Sequence, residues 1–244
     1  MPSPLVRPEI TSIYKRDGEL TPLPQRMAHC TPDTKKAMYG IRAALEGRGG
    51  AFLLSDLFRS YDMQRQAHED FVTGKKTAFS PPPGGSMHEA GRAFDIDLTA
   101  MRVPLADFWV IAAEWQVVPI IAEPKPKQSE SWHFECRGSH QLVYDYYKAG
   151  KGANFPKPAQ AMAASAIVSI GVRHDGYNGR EKAAYVQSGL IRLGFELGSM
   201  DGDIGTKTKK ALEAAHIAAG SIDAQLDAVE ALLKQQFPGE YFDA

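Results

Sequence analysis

An excess of charge of either sign is the first thing this sequence lacks: 28 Lys and Arg stand against 29 Asp and Glu, for a formal net charge of -1 over 244 residues. Nucleic acid and anionic membranes select basic patches, so neither is an expected partner. Long apolar runs are missing too. No stretch approaches the roughly 20 residues that span a bilayer, and the N-terminal MPSPLVRPEITSIY has no continuous apolar core of a secretion signal, so no transmembrane segment is expected and no signal peptide is visible. Cysteine is scarce. Cys30 and Cys136 are the only two, and their separation leaves both a bridge and two free thiols open. No fixed-period repeat is present. What remains, 43% hydrophobic and 23% charged residues, is ordinary for a folded chain with a sizeable core. The length predicts one larger unit of about 150 residues and a smaller companion.

Residues 1–30 carry prolines at 2, 4, 8, 22 and 24, which interrupt backbone ladders and predict an extended, mostly irregular arm. Thr31-Pro32-Asp33 then starts a helix whose Met38, Ile41 and Leu45 recur at helical spacing as far as Gly47. A short strand over 51–54, a helix over 62–71, a strand over 94–98, a helix over 104–115, and strands over 117–121 and 132–136 follow from apolar periodicity. Arg59 falls at a strand-to-helix junction, and Ser80-Pro-Pro-Pro-Gly-Gly85 is a turn-rich loop leading into Ser86-Met-His88. After a helix ending near Gly150, the Gly-, Pro- and Lys-rich stretch to Pro158 reads as the start of a linker. Helical patterns at 180–194, 206–219 and 222–236 complete the chain. The expected layout is therefore a unit over 1–150, a linker over 151–178 and a small all-α unit over 179–244.

The chemistry is concentrated in two segments, Ser86-Met-His88-Glu-Ala-Gly91-Arg-Ala93-Phe-Asp95 and Glu130-Ser-Trp-His133-Phe-Glu135. A catalytic zinc takes three protein ligands from imidazole nitrogen and carboxylate oxygen and keeps a fourth position open. His88, Asp95 and His133 supply such a set for one ion. Strand alternation supports it, because Asp95 and Asp97 share one face while Phe94, Ile96 and Leu98 take the other, and His133 and Glu135 lie opposite Trp132, Phe134 and Cys136. Glu130, just outside its strand, is free to act as general base and then general acid beside the metal. A solvated loop carboxylate near Lys125 and Lys127 is its alternative. Arg59 offers a bidentate fork for an oxyanion or a substrate carboxylate, with a structural ion pair to Asp56 or Asp62 as its alternative. Glu135 and Asp97 are expected to support the ligating histidines or to be simple structural charges, rather than catalysts, and Ser86 is a hydrogen-bonding support rather than a nucleophile. His68, His174 and His216 are expected to be structural or surface residues.

These segments resemble the zinc D-Ala-D-Ala carboxypeptidases and dipeptidases of the VanY and VanX type, with their related endolysin endopeptidases. The pattern S-x-H-x-x-G-x-A-x-D followed by E-x-x-H is met at Ser86, His88, Gly91, Ala93 and Asp95, then at Glu130 and His133. Phe58-Arg59-Ser60 and Gln64 look like the family's Y-R-S-x-x-x-Q element, with Phe58 in place of tyrosine. The resemblance implies an α+β fold, a central antiparallel sheet flanked by helices, with Arg59 contacting substrate and Gln64, Ser86 and Asp97 near the site. It implies hydrolysis of D-amino-acid-containing bonds in peptidoglycan stem peptides at the cell envelope, periplasmic or extracellular. The E-x-W-H form leans toward D-alanyl-D-alanine carboxypeptidases. An L-alanyl-D-glutamate endopeptidase and a non-catalytic zinc-containing wall-binding protein are the alternatives.

The C-terminal segment has a resemblance of its own. Val186-Gln187, Leu190, Leu193-Gly194, then Asp201-Gly202, Gly205, Thr208 and Ala211-Leu212 look like the three-helix peptidoglycan-binding domain. Ala214-Ala-His216 stands where that family has an aromatic-glutamine pair. This resemblance implies that the wall polymer is a partner.

Overall fold

The computed structural model of the chain describes residues 5–243. Pro2 and Pro4 of the expected arm lie outside them. The rest of that arm departs from expectation, because β1 (Thr11–Arg16) and β2 (Glu19–Pro22) form an antiparallel hairpin. No proline interrupts residues 9–21, and Asp17-Gly18, with φ of 54° and 88°, makes the tight two-residue turn whose twist suits paired strands.

The hairpin edges a six-stranded sheet of order β2-β1-β3-β4-β6-β5, where β3 is Leu54–Asp56, β4 is Ala93–Ile96, β5 is Val117–Pro119 and β6 is His133–Cys136. Its pairings are antiparallel except β1 with β3, where Ser12 faces Leu54. Register does the work that matters here. Asp56 faces Asp95 and Asp95 faces His133, so three polar side chains line up across β3, β4 and β6 on one face. The other face carries Phe94 stacked on Phe134 at 6.1 Å, with Phe108 edge-on to Phe134 at 4.8 Å. Helices α1 (Pro32–Glu46) and α3 (Leu105–Glu114) pack there through Met38, Ile41, Leu45, Phe108 and Ile111. α2 (Tyr61–Val72) follows β3 and is capped by Ser60. Cys30 and Cys136 are buried and free, so no bridge ties them.

The expected linker is irregular only in part. Residues 158–169 form α5 (Pro158–Ser169), which proline starts at its first turn and which is buried continuously from Ala161 to Ser169. A helix apolar on every side has neighbours all round it. It packs between α4 (His140–Lys148) and α6 (Glu181–Arg192), and α7 (Thr206–Ala214) and α8 (Ile222–Gln236) complete the C-terminal layer. Among the residues of the second resemblance, Gln187, Asp201 and Gly202 are bonded to one another. The buried Gln187 amide donates to Asp201 Oδ1 at 2.9 Å and to the Asp203 carbonyl at 3.0 Å, and accepts from Gly202 N–H at 2.7 Å, locking the loop between α6 and α7. No helix among the described residues is long and apolar enough to cross a membrane.

A buried ionic cluster joins the two ends of the chain. Arg92 donates to Asp33 at 2.7 Å and to the Cys136 carbonyl at 3.1 Å, and lies 3.4 Å from Glu240, which also holds Arg192 at 2.6 Å. Burial alone would push the Glu240 carboxyl up, but the two guanidiniums hold it below the usual carboxylate range. Removing one member of a buried charge cluster strands the others, so Arg92→Met is expected to cost about 3 kcal/mol in urea denaturation. A loss under about 1 kcal/mol, the range of an exposed pair, would show that the cluster is solvated.

Candidate metal centre

His88 lies in a four-residue 3-10 helix, Met87–Ala90, rather than in the loop expected from sequence. Ser86 caps it, its Oγ accepting from His88 N–H at 3.3 Å, while the Glu89 carboxylate returns to Ser86 N–H at 3.3 Å. Gly91 ends it at a φ of 63°, and a Cβ there would sit 2.8 Å from the Cys30 Cα, so the sharp exit into β4 requires glycine. The turn is thus set by the same serine and glycine that bracket the histidine in sequence.

The His88 imidazole has its tautomer fixed. Nδ1 is 2.7 Å from the Leu57 carbonyl, which can only accept, so Nδ1 carries the proton and Nε2 presents a lone pair. Nε2 lies 3.2 Å from His133 Nδ1 and 3.3 Å from Asp95 Oδ1, and those two atoms are 2.9 Å apart. All three residues are buried, and they are the one group of potential ligands that converges in this way among the described residues. Ligand atoms around a tetrahedral zinc at 2.0–2.1 Å are about 3.3 Å apart. The spacing fits such an ion. On the far side of His133, Nε2 points to Glu135 Oε1 at 3.7 Å, and Glu135 is held by Arg137 at 2.7 Å, the carboxylate-to-histidine arrangement that orients a ligating ring.

Electrostatics say the same. Burial alone would lower the His133 pKa, but the Asp95 and Glu135 carboxylates outweigh it and hold the ring up to about 10. Burial likewise opposes the Asp95 charge, yet His88 and His133 hold that carboxyl far below the usual range. Three lone-pair donors this close need a positive charge among them, a proton in the bare chain or a metal ion that displaces it.

Arg59 takes the structural pair left open by its sequence and still reaches the site. Its Nε and Nη2 each lie 2.6 Å from Asp56 Oδ2, and Nη2 is 3.7 Å from Asp95 Oδ2. The cation thereby separates two carboxylates that the sheet register sets opposite each other. Gln64 accepts from Arg59 Nη1 at 3.2 Å and donates to Ser80 Oγ and the Pro81 carbonyl, joining α2 to the proline-rich loop. Of the residues expected near the site, Ser86 caps the His88 turn, Glu135 lies against His133, and Gln64 reaches the cluster only through Arg59. Two others fall elsewhere. Asp97 lies past the end of β4, where its Oδ1 caps the following turn by accepting from Thr99 and Ala100 N–H. Glu130 sits at a φ of 69° in the turn before β6, its carbonyl accepting from His133 N–H at 3.1 Å and its Oε1 3.4 Å from Ser129 Oγ. The backbone ties Glu130 to His133, and its carboxylate makes no hydrogen bond to the cluster.

Glu89 is a site neighbour not expected from the sequence, although Ser86-x-x-Glu89 is the pattern of a capping box. Burial pushes its carboxyl up to about 7, against the pull of Gly84 and Ser86 N–H groups, from an ordinary 4.5. The folded chain therefore holds a proton that the unfolded chain releases, and stability from this group falls as pH rises from 4.5 to 7. In metal-free protein, Glu89→Gln is expected to remove about 3 kcal/mol of that decline. Parallel stability-pH curves for the two proteins would refute it.

No family model matches the chain, nor does any curated protein. Among solved structures, it is similar to the LdcB LD-carboxypeptidase, whose structure is described as revealing peptidoglycan recognition, at 20% identity and a TM-score of 0.42 over 55% of this chain and 68% of that one. It is similar to DacB from Streptococcus pneumoniae D39 at 24% identity and a TM-score of 0.37, over 54% of this chain and 78% of that one. A second DacB structure of the same species, described as an L,D-carboxypeptidase, matches at 20% identity and a TM-score of 0.34, over 55% and 84%.

Proposed function

We propose that this chain is a zinc peptidase that hydrolyses D-amino-acid-containing bonds of peptidoglycan stem peptides, acting at the cell envelope as a D-alanyl-D-alanine carboxypeptidase. The observation that carries the reading is the buried convergence of His88 Nε2, Asp95 Oδ1 and His133 Nδ1 within 2.9–3.3 Å of one another. Zinc bound there supplies Lewis-acid polarisation of a scissile carbonyl and a nucleophile ionised near neutral pH. The remaining work falls to the chain. Glu130, held beside His133 but outside the ligand set, takes the proton at its carboxylate and returns it to the leaving amine. Arg59 has five N–H groups, three of them engaged by Asp56 and Gln64, and the two left on its Nη atoms suit the terminal carboxylate of a stem peptide. The C-terminal helices, by their resemblance to wall-binding modules, concentrate this site on the polymer.

Mass spectrometry of muropeptides incubated with the chain, with chelator and with zinc restored, tests the reading. Zinc-dependent loss of one D-alanine from pentapeptide stems is the expected result. Loss from tetrapeptide stems instead would assign the L,D-carboxypeptidase activity named for the similar structures. A cut inside the stem would assign an endopeptidase, and no cleavage of any stem would leave a non-catalytic wall protein.

A further inference from the structure

We propose that the C-terminal helices are a structural part of the metal centre rather than a separable anchor, and that Glu240 is the positioning residue that ties them to it. The inference rests on the reading of His88, Asp95 and His133 as ligands. Residues 84–93, which carry His88 and lead into Asp95, are gripped from the C-terminal side at three places. Met87, Ala90 and Ala93 are buried against Met162, Ala163, Ala166 and Ile167 of α5. His174 Nε2 is 3.1 Å from the Gly84 carbonyl, and Gly84 N–H in turn donates to Glu89 at 2.9 Å, one residue from His88. Arg92, between the two ligands in sequence, is held by Glu240, whose other oxygen accepts from Ser139 N–H at 2.6 Å just beyond β6.

A four-residue 3-10 helix has too few internal hydrogen bonds to hold a side chain in place by itself. Ser86 and Gly91 shape the turn, but its position over the sheet is set by what packs on it. Ala93 shares a sheet face with Asp95 by strand alternation, so α5 covers the same face that carries the ligand. Glu240 then braces the Arg92 side chain against Ser139, at the end of the segment where Cys136 N–H pairs with the Arg92 carbonyl at 2.8 Å. Losing Glu240 leaves the Arg92 guanidinium with Asp33 and the Cys136 carbonyl, and the His88 turn loses its far tether to the C-terminal side.

The test uses the full-length chain with Glu240→Gln. Zinc affinity is measured by competition with a chromophoric chelator, and amide hydrogen exchange is followed in the metal-free protein. The expected result is an affinity at least about tenfold weaker, the range seen when a support of a metal ligand is lost, with faster exchange confined to residues 84–93 and α1 unchanged. A folded variant with affinity within about twofold of the parent, and unchanged exchange over 84–93, would overturn the proposal. Should Glu240→Gln fail to fold, His174→Phe keeps an aromatic ring in place and removes the donor to Gly84 together with the acceptor for Gly176 N–H, which lies outside residues 84–93. It is expected to speed exchange at Gly84 and Glu89 and weaken zinc binding severalfold, and no change in either overturns the proposal. Neither readout involves hydrolysis. A chain that binds zinc and cuts no stem peptide would sink the peptidase reading and leave this one standing, whereas unaltered exchange in both variants would do the reverse.

Discussion

With Asp95 replaced by asparagine, zinc affinity is expected to fall by about a thousandfold or more, roughly 4 kcal/mol. Asp95 is the only anion of the proposed ligand set, and its Oδ1 stands 2.9 Å from His133 Nδ1 and 3.3 Å from His88 Nε2. An amide keeps the shape but offers a neutral oxygen, and its NH2 group, if turned inward, points donors where a cation belongs. The substitution also unbalances the row across the sheet. Arg59 and Asp56 remain, but the carboxylate that opposes His133 is gone, so that ring should lose the part of its pKa rise that Asp95 supplies, while Glu135 keeps its own. Competition titration measures the affinity, and histidine titration by NMR in metal-free protein measures the second effect. Zinc binding within tenfold of the parent would mean that Asp95 is not a ligand.

How much of this was legible in the sequence depends on whether the signal was local. The helices over 32–46, 105–114 and 222–236 show apolar residues at helical spacing because each buries one face. The convergence of His88, Asp95 and His133 was legible because two short segments carry both the side chains and the residues that shape their turns: Ser86 caps, Gly91 takes the left-handed exit, and strand alternation turns Asp95 and His133 to one face. α5 was missed for the opposite reason. Buried on all sides, it has no polar stripe to generate a period, and it follows a Gly-, Pro- and Lys-rich run. The β1–β2 hairpin was hidden by the prolines around it, although Asp17-Gly18 is a hairpin turn signal. Asp97 shows the limit of alternation, which holds only while the strand lasts: β4 ends at Ile96, and the next carboxylate turns to cap Thr99 and Ala100. The Arg92–Glu240 contact was beyond reach, because nothing in either segment names the other.

Glu130 carries the reaction in this reading without helping to hold the metal, and that division makes Glu130→Gln the sharpest test of mechanism. Hydrolysis is expected to slow by about a hundred- to ten-thousandfold, the range for a lost general acid-base group, while zinc affinity stays within about threefold. The structure gives reasons for both halves. The Glu130 carboxylate contacts Ser129 Oγ at 3.4 Å and none of the three ligands, so an amide in its place should change stability by less than about 0.5 kcal/mol, as for other surface substitutions. Its tie to the site is through the backbone, where the Glu130 carbonyl accepts from His133 N–H at 3.1 Å, and glutamine keeps that bond. What changes is the ability to accept and return a proton. Zinc lost together with activity would make Glu130 a fourth ligand. Activity retained would make it a solvated carboxylate of the Lys125–Lys127 loop, and the proton would then have to be carried by some other group near His133.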